Sequence, residues 1–129
     1  MKKLKLIGYG SGLGGLHDGC GRAPLYLRQH LRLSLPFNWG EIVVDNPDAV
    51  ANDIAEIAAC CRRLAKITTN SLNSQCHLVN FGGDHACAIG FWSAISEAYR
   101  SKGDIGLIWI DAHMDAHTPE TSETGNVHG

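Results

Sequence analysis

The sequence predicts an α/β fold, a three-layer α/β/α arrangement around a mainly parallel sheet of about four strands. Three observations carry this reading. Short apolar runs at residues 4–9, 41–44, 76–81 and 105–110 are separated by longer stretches with helical periodicity, the alternation expected of parallel βαβ units. The last run, IGLIWI, is apolar at nearly every position rather than at every second one, which suits a strand covered on both faces. The chain has 129 residues, enough for one domain and too few to divide comfortably into two.

Taken in order, residues 4–9 read as a first strand closed by a glycine cluster. Residues 23–33 read as a helix, with Leu25, Leu27, Leu31 and Leu33 among polar partners and Pro24 near its start, where a missing N–H costs least. Pro36 interrupts, and residues 41–44 form the second strand. Asn46 and Pro47 then open a long helix whose stripe is Val50, Ile54, Ile57 and Leu64. A polar break at 71–75 leads into a third strand at 76–81, followed by Gly82 and Gly83. Residues 86–100 carry Ile89, Trp92, Ile95 and Tyr99 at helical spacing. A turn at 102–104 precedes the fourth strand, 105–110.

Composition removes several classes of function. A net charge of −2 gives neither a nucleic-acid footprint nor a membrane-surface patch. The opening MKKLKLIGYG turns to glycine too soon for a membrane span and lacks a signal-cleavage pattern. Cys20, Cys60, Cys61, Cys76 and Cys87 form an odd set without a CxxC pair. That argues against a disulfide framework or a zinc–thiolate site and for a reducing cytoplasm, with the thiols acting as small buried hydrophobes.

One motif is a false lead. Gly10, Gly12 and Gly15 spell GxGxxG straight after the first strand, and Asp45 closes the second, as in a dinucleotide-binding unit. That fingerprint needs a helix opening on its last glycine. Here further glycines and a His-Asp pair follow before anything helical begins, so a plain backbone loop is expected.

The chemistry gathers in two clusters, each following a strand. Gly82-Gly83-Asp84-His85 leaves the third, and Asp111-Ala112-His113-Met114-Asp115 leaves the fourth. Residues two apart in an extended segment point the same way, so Asp111, His113 and Asp115 are expected on one side. In open parallel sheets ligands bind beyond the carboxyl ends of the strands, which brings His85 to the same edge. Mixed imidazole and carboxylate donors suit manganese, zinc, iron or cobalt, and carboxylates can bridge two such ions.

At these residues the sequence resembles the ureohydrolase (arginase/agmatinase) family. GGDH at 82–85 and DAHMD at 111–115 are similar to its first two metal motifs, TPETSETGNVHG at 118–129 to the loop of its arginase branch, and GCGRAPLYLR at 19–28 to the start of its first helix. The resemblance implies that His85 and Asp115 ligate one manganese, His113 the other, and that Asp111 bridges them. It implies hydrolysis of the guanidinium group of arginine to urea and ornithine. Asp115 would orient the attacking water and pass its proton to the leaving nitrogen. His128 would shuttle protons, work its near-neutral reference pKa suits. His117, Thr124 and Asn126 would contact the amino-acid end of the substrate.

Two positions depart from the arginase pattern. Thr124 stands where Ser is usual and keeps the hydroxyl, and His117 stands where Asn is common. Arginine stays the favoured substrate, ahead of agmatine, another guanidino compound or formimidoylglutamate. The family's later Ser-x-Asp-x-Asp motif, with two further metal-ligating aspartates, does not occur in the sequence. The resemblance thus makes residues 1–129 the N-terminal portion of a single ureohydrolase domain, expected to be inactive alone. It implies a homo-oligomer, trimer or hexamer, at full length. The alternative is an inactive remnant that binds a metal or pairs with an intact homologue. In either case an apolar strand edge is expected to lie uncovered, leaving the chain loosely packed or dependent on a partner.

Overall fold

The computed structural model describes residues 2–15, 17–72 and 75–126. Along the chain come β1 (Lys3–Gly10), a 3-10 turn (Asp18–Arg22), α1 (Ala23–His30), β2 (Phe37–Val44), α2 (Ile54–Ser71), β3 (Cys76–Gly82) and α3 (Cys87–Tyr99). The three strands are parallel in the order β2-β1-β3. The α/β class stands, with a sheet of three strands.

Helices cover both faces because alternate residues of β1 face opposite ways. Ile7 and Tyr9 join Val43 of β2 and Ile57, Cys60 and Leu64 of α2 in the main core. On the other face Gly8 lets α1 settle close, since a Cβ there would lie 2.9 Å from the Cβ of Pro24. α3 packs on α2 at Gly90, where a Cβ would stand 2.3 Å from the carbonyl oxygen of Cys61.

Three boundaries differ from the sequence expectation. The long helix starts at Ile54 rather than at Asn46 and Pro47. Asn46 Oδ1 instead accepts the Asp48 amide at 3.1 Å, and Asn52 takes a left-handed φ of 60°. Both favour turns over helix. Asp53 then caps the helix, its Oδ1 accepting the Glu56 amide at 3.1 Å. Val50 and Ile54 consequently lie outside the buried stripe, 70% and 67% exposed. α1 ends at His30, three residues early, where Leu31 turns extended and the Arg32 guanidinium donates to the carbonyls of Gln29 and Leu31. β2 begins earlier than expected, at Phe37, whose neighbourhood pairs with Leu4 of β1.

The larger correction concerns residues 105–110. They form no strand. An apolar run becomes a strand only where a neighbour takes up its N–H and C=O groups, and β3 pairs with β1 alone among the described strands. Ile108 and Ile110 are 87% and 94% exposed.

Candidate metal centre

β3 ends in a turn clamped against β1. The Gly83 amide donates to the Tyr9 carbonyl at 2.7 Å, and the Asp84 amide donates to the Ser11 carbonyl at 3.0 Å. Only glycine fits at 83, because a Cβ would come within 2.2 Å of the Ser11 oxygen. The Asp84 side chain is buried in this turn. Its Oδ2 accepts the Gly14 amide and its Oδ1 the Ala86 amide, each at 2.9 Å. The glycine loop therefore does hold an anion, and the anion is the chain's own Asp84. His85 leaves this turn with its backbone fixed on both sides.

The His85 ring stacks on Trp109, centroids 5.0 Å apart and planes 16° from parallel. Its Nδ1 lies 3.1 Å from Asp115 Oδ2 and 3.6 Å from Asp111 Oδ2. Donor atoms of His85, Asp111 and Asp115 all fall within 4.8 Å of one another. The Asp111 Oδ1 accepts the His113 amide at 2.8 Å. That bond holds the Asp111 carboxyl below its usual value, against desolvation and with help from the His85 and His113 rings.

The donor set fits a divalent cation. Asp115 Oδ2 is a buried oxygen with no hydrogen bond, although His85 Nδ1 is close by. The two atoms approach without hydrogen-bond alignment, as lone pairs aimed at a shared ion would. A buried carboxylate oxygen left unpaired is costly, and a cation held by one imidazole and two carboxylates would satisfy it.

The sequence-derived site residues are thus partly drawn together. His85, Asp111 and Asp115 converge, whereas the His113 side chain is 85% exposed and reaches only Asp111, 3.5 Å from its Oδ1. The expected one-sided alternation fails because the chain bends at 112 and 113 and Asp115 has a left-handed φ of 49°. His117 and Asn126 line a cavity of about 570 Å³ with His85, Trp109 and Asp115. Thr124 lines an adjoining cavity of about 610 Å³ with His113 and Asp115. His117 Nδ1 lies 3.4 Å from Thr121 Oγ1, and Thr124 Oγ1 accepts the Asn126 amide at 3.3 Å. His128 lies outside the described residues.

Two contributors were given no role of their own from sequence, although Asp84 lay within the GGDH cluster. Trp109 sits two positions before Asp111, a spacing that places both on one side of an extended run, so its stack on His85 had a readable signal. The pairing of Asp84 had none, because its partner Gly14 is 70 residues away.

Comparison with known proteins gives the family and the fold. The Arginase family model matches residues 2–129. Human Arginase-1 is 38% identical over 96 residues, 74% of this chain and 28% of that protein. The arginase of Bacillus caldovelox is 27% identical over 143 aligned positions, which take in 100% of this chain and 47% of that one. The structure of Entamoeba histolytica arginase in complex with L-ornithine superposes with a TM-score of 0.85 at 22% identity, over 99% of this chain and 46% of that one. The chain therefore belongs to the arginase family and spans less than half the length of these relatives.

Proposed function

We propose that this chain forms the first half of a manganese-dependent hydrolase that cleaves the guanidinium group of arginine to urea and ornithine. The observation that carries the reading is the convergence of His85 Nδ1 with the Asp111 and Asp115 carboxylates, one oxygen of which is buried and unpaired. His85, Asp111 and Asp115 would hold the first manganese ion, and His113 would turn inward with Asp111 to help hold a second. Bound manganese supplies charge that activates water at neutral pH and steadies the developing anion.

The chain's own groups do the rest. Asp115, through the carboxylate oxygen not aimed at the ion, accepts a proton from the attacking water and returns it to the leaving nitrogen. His117, Asn126 and Thr124, around the two adjoining cavities, bind the carboxylate and ammonium end of the substrate. A hydroxyl at 124 and an imidazole at 117 keep donors at both positions, which favours an amino acid over agmatine. His128 exchanges protons with solvent in this reading, and the working assembly is a homo-oligomer.

The test is urea release from arginine and from agmatine by this chain co-expressed with the second half of a related arginase and supplied with Mn²⁺. Urea from arginine, lost in His85→Ala, is the expected result. A stable assembly that binds manganese and releases no urea would overturn the activity.

A further inference from the structure

A third cavity, of about 530 Å³, opens at the carboxyl ends of β1 and β2, which run side by side there with Gly10 against Val44. It shares no lining residue with the two cavities of the metal centre. Ligands of parallel sheets bind beyond strand ends of this kind, and the volume is that of a small-molecule site. Its walls are fixed. Gly21 presses so closely on the glycine loop that a Cβ would lie 3.0 Å from the Gly12 nitrogen, which sets the position of Arg22 beside it. Across the cavity, Asp45 leaves β2 in a segment held at both ends. The Asn46 amide donates to Glu56 Oε1 at 3.0 Å, and the Asn52 amide donates to the Leu13 carbonyl at 2.7 Å. The Arg22 and Asp45 side chains line this one space and, among the described residues, neither has a hydrogen bond or an ion pair.

Two opposite charges left unpaired on one cavity suit a ligand that carries both. A dinucleotide does not fit, although Asp45 and the GxGxxG glycines line the space. The Gly14 amide is taken by Asp84, and the loop runs into a 3-10 turn, so it offers no helix N-terminus to a pyrophosphate. An α-amino acid does fit. A guanidinium pairs with a carboxylate through two parallel hydrogen bonds, and a carboxylate accepts from an ammonium. Leu25 and Val44, 43% and 44% exposed, line the same cavity and offer apolar surface to an aliphatic side chain. We propose that this cavity binds a small aliphatic α-amino acid, with its carboxylate on Arg22, its ammonium on Asp45 and its side chain against Leu25 and Val44. The site is separate from the metal centre, asks for no guanidinium on its ligand, and stands independently of the hydrolase reading.

The probe is L-leucine, which carries both charges and has no guanidinium to be hydrolysed. The isotope-labelled chain is titrated at neutral pH in EDTA, without manganese, and followed through its amide NMR signals. Saturable shifts at Gly10, Gly12, Gly15 and Gly21, with a Kd in the millimolar range, are expected. Isocaproate, which lacks the ammonium, and isoamylamine, which lacks the carboxylate, should each bind weaker by about tenfold or more. These two comparisons need no change to the protein. Arg22→Ala and Asp45→Ala should each weaken leucine by about tenfold or more as well. Both variants should keep the melting temperature within about 3 °C of the parent, because neither side chain has a partner to lose. No saturable binding, shifts confined to residues 117–126 beside the metal centre, unchanged leucine affinity in either variant, or equal binding of isocaproate or isoamylamine overturns the proposal.

Discussion

The Asp84 carboxylate accepts the Gly14 amide at 2.9 Å across 70 residues of sequence, tying the glycine loop to the turn that presents His85. Removing it strands two buried amides, those of Gly14 and Ala86. Asp84→Ala should cost about 2–4 kcal/mol, and Asp84→Asn, which keeps one acceptor oxygen, about half as much. Urea denaturation followed by circular dichroism measures both. Equal effects of the two substitutions would show that the carboxylate does not act through these bonds.

Gly90 offers a second test, because helix propensity and packing oppose each other there. Alanine favours helix over glycine by about 1 kcal/mol. Yet a Cβ at 90 meets the Cys61 carbonyl oxygen at 2.3 Å, so α2 and α3 must part. Gly90→Ala should destabilise by about 1–3 kcal/mol. Gly19→Ala, where a Cβ meets nothing within 4 Å, is the control, expected within about 0.5 kcal/mol of the parent. A stabilised Gly90→Ala protein would mean that the helices do not pack this closely in solution.

The contrast between these glycines shows what could be read from the chain. Hydrophobic runs located β1 and β3 to within a residue or two, because a strand's apolar residues are local in sequence. Residues 105–110 carried the strongest strand signal and form none, since a ladder needs a neighbour and periodicity cannot report one. The site divided in the same way. His85, Asp111 and Asp115 were legible as donors after apolar runs. The bend that turns His113 outward depends on the Asp111 carboxylate capturing the His113 amide, a choice no spacing reveals.

The buried thiols predict how stability depends on pH. Burial, reinforced by the bond to Glu56, pushes Cys60 up to about 11, and burial with the nearby Asp84 charge does the same for Cys87. Burial likewise raises Cys61, and burial together with Asp84 holds the Tyr9 phenol well above its ordinary value. Each group is kept neutral by folding, so its folded pKa exceeds its unfolded one. The contribution is whole below the unfolded thiol value near 9 and is lost as pH rises from there towards about 11. The urea midpoint should therefore hold steady between pH 7 and 8 and fall from pH 9 upward. Thiolate absorbance rising already near pH 9 in a Cys20→Ser, Cys76→Ser variant, which keeps only the three raised thiols, would contradict this.

Manganese should stabilise the chain through His85, Asp111 and Asp115 and be nearly indifferent to His113. A ligand that binds only the folded state at a hundred times its Kd adds about 2.7 kcal/mol. Titration with Mn²⁺ should therefore raise the melting temperature of the parent, and His85→Ala or Asp115→Ala should remove most of that rise. His113→Ala should keep it, because the His113 ring is 85% exposed and stands apart from the converged donors. In the metal-free protein Asp115→Ala should cost little, since its buried oxygen has no hydrogen bond to lose. Calorimetric scans with EDTA and with Mn²⁺ separate the two effects. Loss of the manganese response in His113→Ala, to the extent seen in His85→Ala, would show that the first ion needs a fourth donor from this chain and that His113 swings inward to supply it.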